Sequence, residues 1–304
     1  MLELRVHLFG PFQIVSADRE VAGSILRKAQ ELLALVLLAP QRNVRRELAA
    51  EVIWPDAGPE ASRKAIRQAL WQIRQVTDTG GPAGQRLVLT DGDLLRVNPD
   101  RPLWTDVEVF ADQARAAQLA RVEDLTDADL AAMDQASTLY RGPLLTSCYE
   151  EWCLAERAHL EDLHITLLDK LSSGCERRGR LEAAICWAQK LLEIEPAHER
   201  THRRLMRLYY LIDDRTRALR QFRRCQQVLA NELGVRPQSR TEALAAEIGA
   251  DTPSPPLRPS PPAGARPVAA ALGSPTTLDG VRAELAALRA SVDAISHQLG
   301  NTPA

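Results

Sequence analysis

The 304-residue sequence predicts a mainly α protein whose first hundred or so residues form a separate α+β unit. Three observations carry that reading. Strand-like alternation clusters at the two ends of the N-terminal segment, helical periodicity fills the chain from Trp104 onward, and residues 165–198 recur in 199–232 at a shift of 34. The chain is longer than a usual single domain, so more than one core is expected. We divide it into 1–103, 104–250, a linker at 251–276 and a terminal helix at 277–300.

In the first unit, "LELRVHLFG" and "FQIV" alternate as strands do and are separated by Gly10-Pro11. A helix is expected over Lys28 to Leu38, ending before Pro40, and another over Arg45 to Ile53. The second stops at Trp54 because the proline that follows disfavours helical geometry in the residue before it. A third helix runs from Pro59 to Thr77. After a Gly-rich turn, "RLVLTDGDLLRV" places two β-like runs around Asp91-Gly92, a strong hairpin signal. Strands, three helices and a closing hairpin are the order of a winged helix-turn-helix, in which the third helix enters the DNA major groove.

The third helix carries the most informative face. Stepping about 100° per residue puts Ile66, Ala69, Leu70 and Ile73 on one side and Lys64, Gln68, Trp71 and Gln75 on the other, with Arg63, Arg67 and Arg74 along the border. Glu60, at its start, is its one acidic residue and suits the helix dipole. Arginine forks match phosphate oxygens and the O6 and N7 acceptors of guanine, and the glutamines are candidates for base edges. Trp71 has two readings. Its ring lies on a sugar or a thymine methyl, or it packs on the hairpin or on the following helical unit. An exposed indole is costly, so packing is the expectation.

From Trp104 onward no further strand is expected. In the recurring segment Leu171 aligns with Leu205, Ala184 with Ala218, Ala188 with Phe222 and Leu191 with Cys225, and Pro196 closes the first unit. This is the pattern of tetratricopeptide repeats, whose small residues let two helices approach closely. Helices at about 149–164 and 238–248 would cap the stack.

The stretch "TPSPPLRPSPPAGARP" lacks the backbone donors and apolar content for a core and reads as an extended linker. Beyond it, Leu278, Val281, Leu285, Leu288, Val292, Ile295 and Leu299 follow one another at three- and four-residue spacing, ending at Gly300. Such a short heptad seam asks for a partner, and a second copy of the chain is expected there.

A formal net charge of −2 means that nucleic-acid binding requires a local basic patch. The five cysteines, Cys148, Cys153, Cys175, Cys186 and Cys225, show no C-x-x-C pair and read as reduced, mostly packed thiols. The N-terminus has no apolar core of signal length, and the longest apolar run, Leu32 to Ala39, is far short of a membrane span, so a cytoplasmic location is expected. "HERTH" matches H-E-x-x-H, with Glu199 as a would-be base between His198 and His202. His198 falls at the turn between repeats, and Leu205 and Leu208 occupy the places of further ligands, so no metal is expected. No nucleophile-elbow motif supports a Ser/His/Asp or Cys/His site, so no catalytic residue is assigned. Trp152, Tyr209 and Tyr210 read as packing residues.

The residues resemble those of a known family. "LFGPF", "RKAQELLALVLLAP", "IWPDA", "ALWQIRQ", "TDGDLLRVNP" and "WTDVEVF" look like bacterial transcriptional activators of the Streptomyces antibiotic regulatory protein type. "YRGPLL", "CYEEWCLAER" and "ANELGVRPQSRTEAL" look like their bacterial transcriptional activation domain, and the likeness spans residues 2 to 248. The resemblance implies a response-regulator-like winged helix binding double-stranded promoter repeats and a repeat domain contacting RNA polymerase. It implies recognition-helix positions at Arg63, Lys64, Arg67, Gln68, Trp71 and Arg74, to which the helical periodicity adds Gln75, and a wing tip from Thr90 through Asp91 and Gly92 to Asp93. Larger relatives carry an ATPase module. Here "GCERRGR" ends in Arg180 rather than a phosphate-binding lysine, so no cofactor is expected. The competing reading is a repeat-protein scaffold whose winged helix serves protein contacts.

Overall fold

The computed structural model describes residues 4–16, 19–20, 25–78 and 86–251. The Pro-rich stretch beyond Asp251 and the heptad seam from Leu278 to Leu299 lie outside the described residues. Two small sheets and three helices come first. β1 (Leu4–His7) pairs antiparallel with β2 (Gln13–Ser16), and β2 with β3 (Arg19–Glu20). The Gly10-Pro11 break is the β1–β2 turn, where Gly10 takes a φ of 80°.

α1 (Arg27–Leu38) ends as expected ahead of Pro40, with Ala39 already extended. β4 (Asn43–Arg45) follows, then α2 (Arg46–Ile53), which stops at Trp54 before Pro55. α3 (Pro59–Thr77) starts from Gly58 with Pro59 in its first turn, where proline's missing N–H costs nothing. β5 (Val88–Asp91) and β6 (Leu94–Val97) form the hairpin, and β4 adds to the free edge of β6.

Trp104 does not open an all-helical segment. Leu103–Thr105 forms β7, which runs parallel to β1 and closes the first sheet in the order β3-β2-β1-β7. Three residues are too few for alternation to announce a strand; the pairing comes from a partner about a hundred positions away.

The helical part comprises α4 (Asp106–Leu119), α5 (Asp127–Leu139), α6 (Glu151–Arg177), α7 (Leu181–Ile194), α8 (Glu199–Leu211), α9 (Arg215–Val228) and α10 (Ser239–Gly249). Thr126 and Asp129 cap α5 reciprocally. α6 packs on α7 and α8 on α9, with Ala184 and Ala218 fully buried where the paired helices meet. The cap expected at 149–164 is not a separate helix. It is the first half of α6, because nothing between Glu151 and Arg177 breaks the helix. Gly174 is tolerated mid-helix by a close approach: a Cβ there would lie 2.6 Å from Leu130 Cδ2 of α5.

The strands and the helical part share one continuous core. Asp106, fully buried at the start of α4, accepts the backbone N–H groups of Leu8 at 2.8 Å and Phe9 at 3.1 Å. Leu8 O in turn accepts from Leu145 N, and Gly10 N donates to Pro143 O. Phe9 packs edge-on against Phe110 at 5.1 Å and tilted on Tyr140 at 4.7 Å, and Tyr140 stacks on His164 at 4.1 Å. Desolvation, with a smaller contribution from Lys190, pushes the His164 imidazole down to about 4.

This junction can be tested at two of its residues. Asp106→Ala removes the acceptor of the buried Leu8, Phe9 and Val107 amides and should lower unfolding stability by about 2–3 kcal/mol, read as a shift in urea midpoint. His164 stays neutral in the folded chain while its unfolded counterpart protonates below its ordinary value of 6.5. Stability should therefore fall as pH drops from 6.5 towards about 4, by up to roughly 3 kcal/mol from this group. Urea midpoints at neutral and mildly acidic pH should show a smaller difference in His164→Leu than in the parent chain.

Candidate nucleic-acid interface

Local bonds close both ends of α3, and two further contacts tie it to other parts of the chain. Ser62 Oγ donates to Gly58 O at 3.1 Å, and Thr77 Oγ1 to Ile73 O at 2.9 Å. The Arg101 guanidinium donates to Thr77 O and stands 3.5 Å from the Asp78 carboxylate. Midway, Gln72 Oε1 accepts the backbone N–H of Leu26 at 3.2 Å, tying α3 to the start of α1. The apolar stripe is buried as its spacing predicts: Ile66, Ala69, Leu70, Ile73 and Val76 face the core.

The opposite face is open. Arg63, Lys64, Arg67, Gln68, Trp71 and Gln75 are all exposed. Arg74 is half-buried at the border, with its Nε enclosed and unpaired. Trp71 departs from expectation. Its indole is 56% exposed and is not covered by the hairpin or by the helical part. The residues of α3 that share a groove with the hairpin turn include Ser62, Arg63, Ile66 and Arg67, towards its N-terminal end.

In the hairpin, Asp91 pairs with Leu94, so the two central turn residues are Gly92 and Asp93. Gly92 supplies the positive φ, 56°, at the first of them. Thr90, Asp91 and Gly92 are exposed at the tip. Asp93 O accepts from Arg46 N at 2.8 Å, docking the tip on the start of α2. A groove of about 550 Å³ runs between them, lined among others by Arg46, Glu47, Trp54, Arg63, Arg67 and Asp93. The hairpin tip, the first turn of α2 and the N-terminal half of α3 thus share one surface. Arg46 and Trp54 belong to it although nothing in their local sequence marks them; they arrive there because α2 crosses the foot of α3.

The histidines of "HERTH" have other employment. His202 is buried, its Nε2 2.8 Å from Pro196 O and its Nδ1 2.7 Å from Gln221 Nε2. His198 Nδ1 lies 2.7 Å from Thr201 Oγ1, and Glu199 accepts from Gln238 N at 2.8 Å and from the Thr241 hydroxyl of α10. Glu199 is therefore a bracket between α8 and α10. Of the five cysteines Cys186 alone is exposed. Tyr209 is buried, while Trp152 and Tyr210 are half-buried against the core. Among the described residues no helix is long and apolar enough to cross a membrane.

Comparison with known proteins agrees with this organisation. Residues 105–249 match the bacterial transcriptional activator domain. The chain is 22% identical over 219 residues to the transcriptional regulatory protein MoaR1 of Mycobacterium tuberculosis, covering 71% of this chain and 70% of that one. It is 24% identical over 251 residues to the regulatory protein DnrI of Streptomyces peucetius, covering 79% and 90%. Among solved structures, Mycobacterium tuberculosis EmbR in complex with a low affinity phosphopeptide superposes with a TM-score of 0.67 at 23% identity, over 84% of this chain and 67% of that one. That likeness establishes a shared fold.

The exposure of Trp71 generates a contrast. Trp71→Ala should leave the urea midpoint within about 0.5 kcal/mol of the parent, as surface changes do. Ile73→Ala, two residues on and buried, should cost about 2–5 kcal/mol. A large loss of stability in Trp71→Ala would mean that the indole packs on protein after all.

Proposed function

We propose that this chain, which carries a bacterial transcriptional activator domain and groups with transcriptional regulators of the antibiotic regulatory protein type, activates transcription by laying α3 in the major groove of promoter DNA. One observation carries the proposal: α3 exposes Arg63, Lys64, Arg67, Gln68, Trp71 and Gln75 on one face, near a hairpin tip. In this reading residues 1–103 are the winged helix-turn-helix. Arg63, Lys64, Arg67 and Arg74 meet phosphates or guanine edges, Gln68 and Gln75 meet base edges, and the hairpin tip at Thr90, Asp91 and Gly92 follows the adjacent backbone. The exposed Trp71 ring then lies on a sugar or on a thymine methyl, the reading favoured by its lack of a protein partner.

The helical part, in this reading, presents a protein-binding surface to RNA polymerase. Self-association through Leu278, Val281, Leu285, Leu288, Val292, Ile295 and Leu299 would hold two DNA-binding units on repeated sites, and the Pro-rich linker would tolerate variation in their spacing.

Promoter binding measured against salt tests this reading. The parent should lose affinity steeply as salt rises. Arg67→Ala combined with Arg74→Ala should weaken binding and flatten the slope by about one for each phosphate no longer neutralised. A chain ending at Asp251 should keep its affinity for a single site and lose the advantage on paired sites. Absence of duplex affinity at any salt would favour the scaffold reading instead.

A further inference from the structure

Residues 215–240 hold seven arginines and one glutamate in a chain whose net charge is −2. On α9, Arg220, Arg223 and Arg224 are exposed at the spacing that brings side chains together along one helix face. These three make no hydrogen bond or ion pair among the described residues, unlike Arg204 and Arg207 of α8, which are paired to Asp169 and Glu176. One of the three, Arg223, also lines a groove of about 450 Å³ between α9 and α10, floored by Leu219, Phe222, Ala245 and Ala246. Its two walls differ in charge: Arg223 stands on the α9 side and Glu242 on the α10 side.

α9 passes into α10 through a single π-helical turn, Leu229–Leu233, and a left-handed Gly234. Such turns often mark functional positions. Here the turn and its exit put two apolar side chains into solvent, Leu233 at 60% exposure and Val235 at 49%, next to exposed Arg236.

We infer that the α9–α10 face is a docking site for an acidic amphipathic helix of a partner protein. Unpaired guanidinium groups select carboxylates, and the apolar floor of the groove selects a leucine-rich stripe. A nucleic-acid backbone would satisfy the arginines and leave the apolar groove unused. The asymmetry of the walls sets an orientation, with the partner's carboxylates along α9 and away from Glu242. The inference rests on other residues than the DNA reading: α9 packs against α8 and α10, whereas the DNA reading rests on α3 and the hairpin.

The test uses the full chain and a labelled synthetic helix of about five turns, with leucines on one face and glutamates on one flank. Fluorescence anisotropy should show saturable binding that weakens at least about tenfold in Arg220→Glu, Arg223→Glu, Arg224→Glu combined, and that survives replacement of the same three by lysine. Hydrogen exchange should slow in α9 and α10, and the Arg67→Ala, Arg74→Ala chain should bind the peptide as the parent does. Unchanged circular dichroism and urea midpoint would establish that the charge-reversed chain is folded. Equal binding of a peptide with lysine in place of glutamate, or no binding of either, overturns the proposal. So does a random-sequence duplex whose affinity drops with the charge reversal, which would assign the face to DNA, or a self-association abolished by it, which would assign the face to a second copy.

Discussion

The carboxylate of Asp106 takes two backbone amides from the end of β1 in a place that water does not reach, and the arrangement of the described residues depends on that contact. Burial raises its pKa, and the amides of Leu8, Phe9 and Val107 oppose the shift by favouring the charged form. A buried carboxylate is stabilising only where its acceptor capacity is filled, and here the first strand fills it. The strand is thereby committed on one edge to β2 and on the other to β7, which leads straight into α4. Further along, the Arg157 guanidinium gathers the carbonyls of Leu144, Leu145 and Cys148, holding the loop that receives Phe9. The first strand and the helical part are thus joined through hydrogen bonds to a fully buried carboxylate.

Against that rigid background the open surfaces are informative. A protein that encloses Phe9, Phe110 and Leu8 so thoroughly leaves the Trp71 indole largely bare. The cost of hydrating an indole is offset when its face is covered by something other than the chain itself. The same reasoning applies to the α9–α10 groove, where unpaired cations and apolar floor occur together. In both places charge and apolar area lie side by side, an arrangement suited to binding and poor for a surface that only faces water.

Much of this is legible in the sequence where the cause is local. Pro40, Pro55 and Pro59 delimit the first three helices, and α1, α2 and α3 begin and end within a residue or so of where the residues predict. The polar face of α3 can be read residue by residue from its periodicity. What the sequence hides depends on distant partners. β4 and β7 are three residues each and exist because β6 and β1 lie beside them. Asp106 reads as one more acidic residue at a helix start, since its partners are nearly a hundred positions away. Packing is the common fate of indoles, hence the expectation for Trp71, whereas the structure leaves it 56% exposed. Arg46 joins the candidate interface by the crossing of two helices, which no periodicity encodes.

The unbroken run of α6 has a mechanical meaning. Its 27 helical residues make a strut about 40 Å long. Near its start, Glu150 is bonded to Lys28 of α1 at 2.7 Å; towards its far end, Glu176 clamps Arg207 of α8. One unbroken helix thus carries contacts to α1 at its start and to α8 towards its end. A separate capping helix at 149–164 would have divided these contacts between two elements; in the unbroken helix one element carries both.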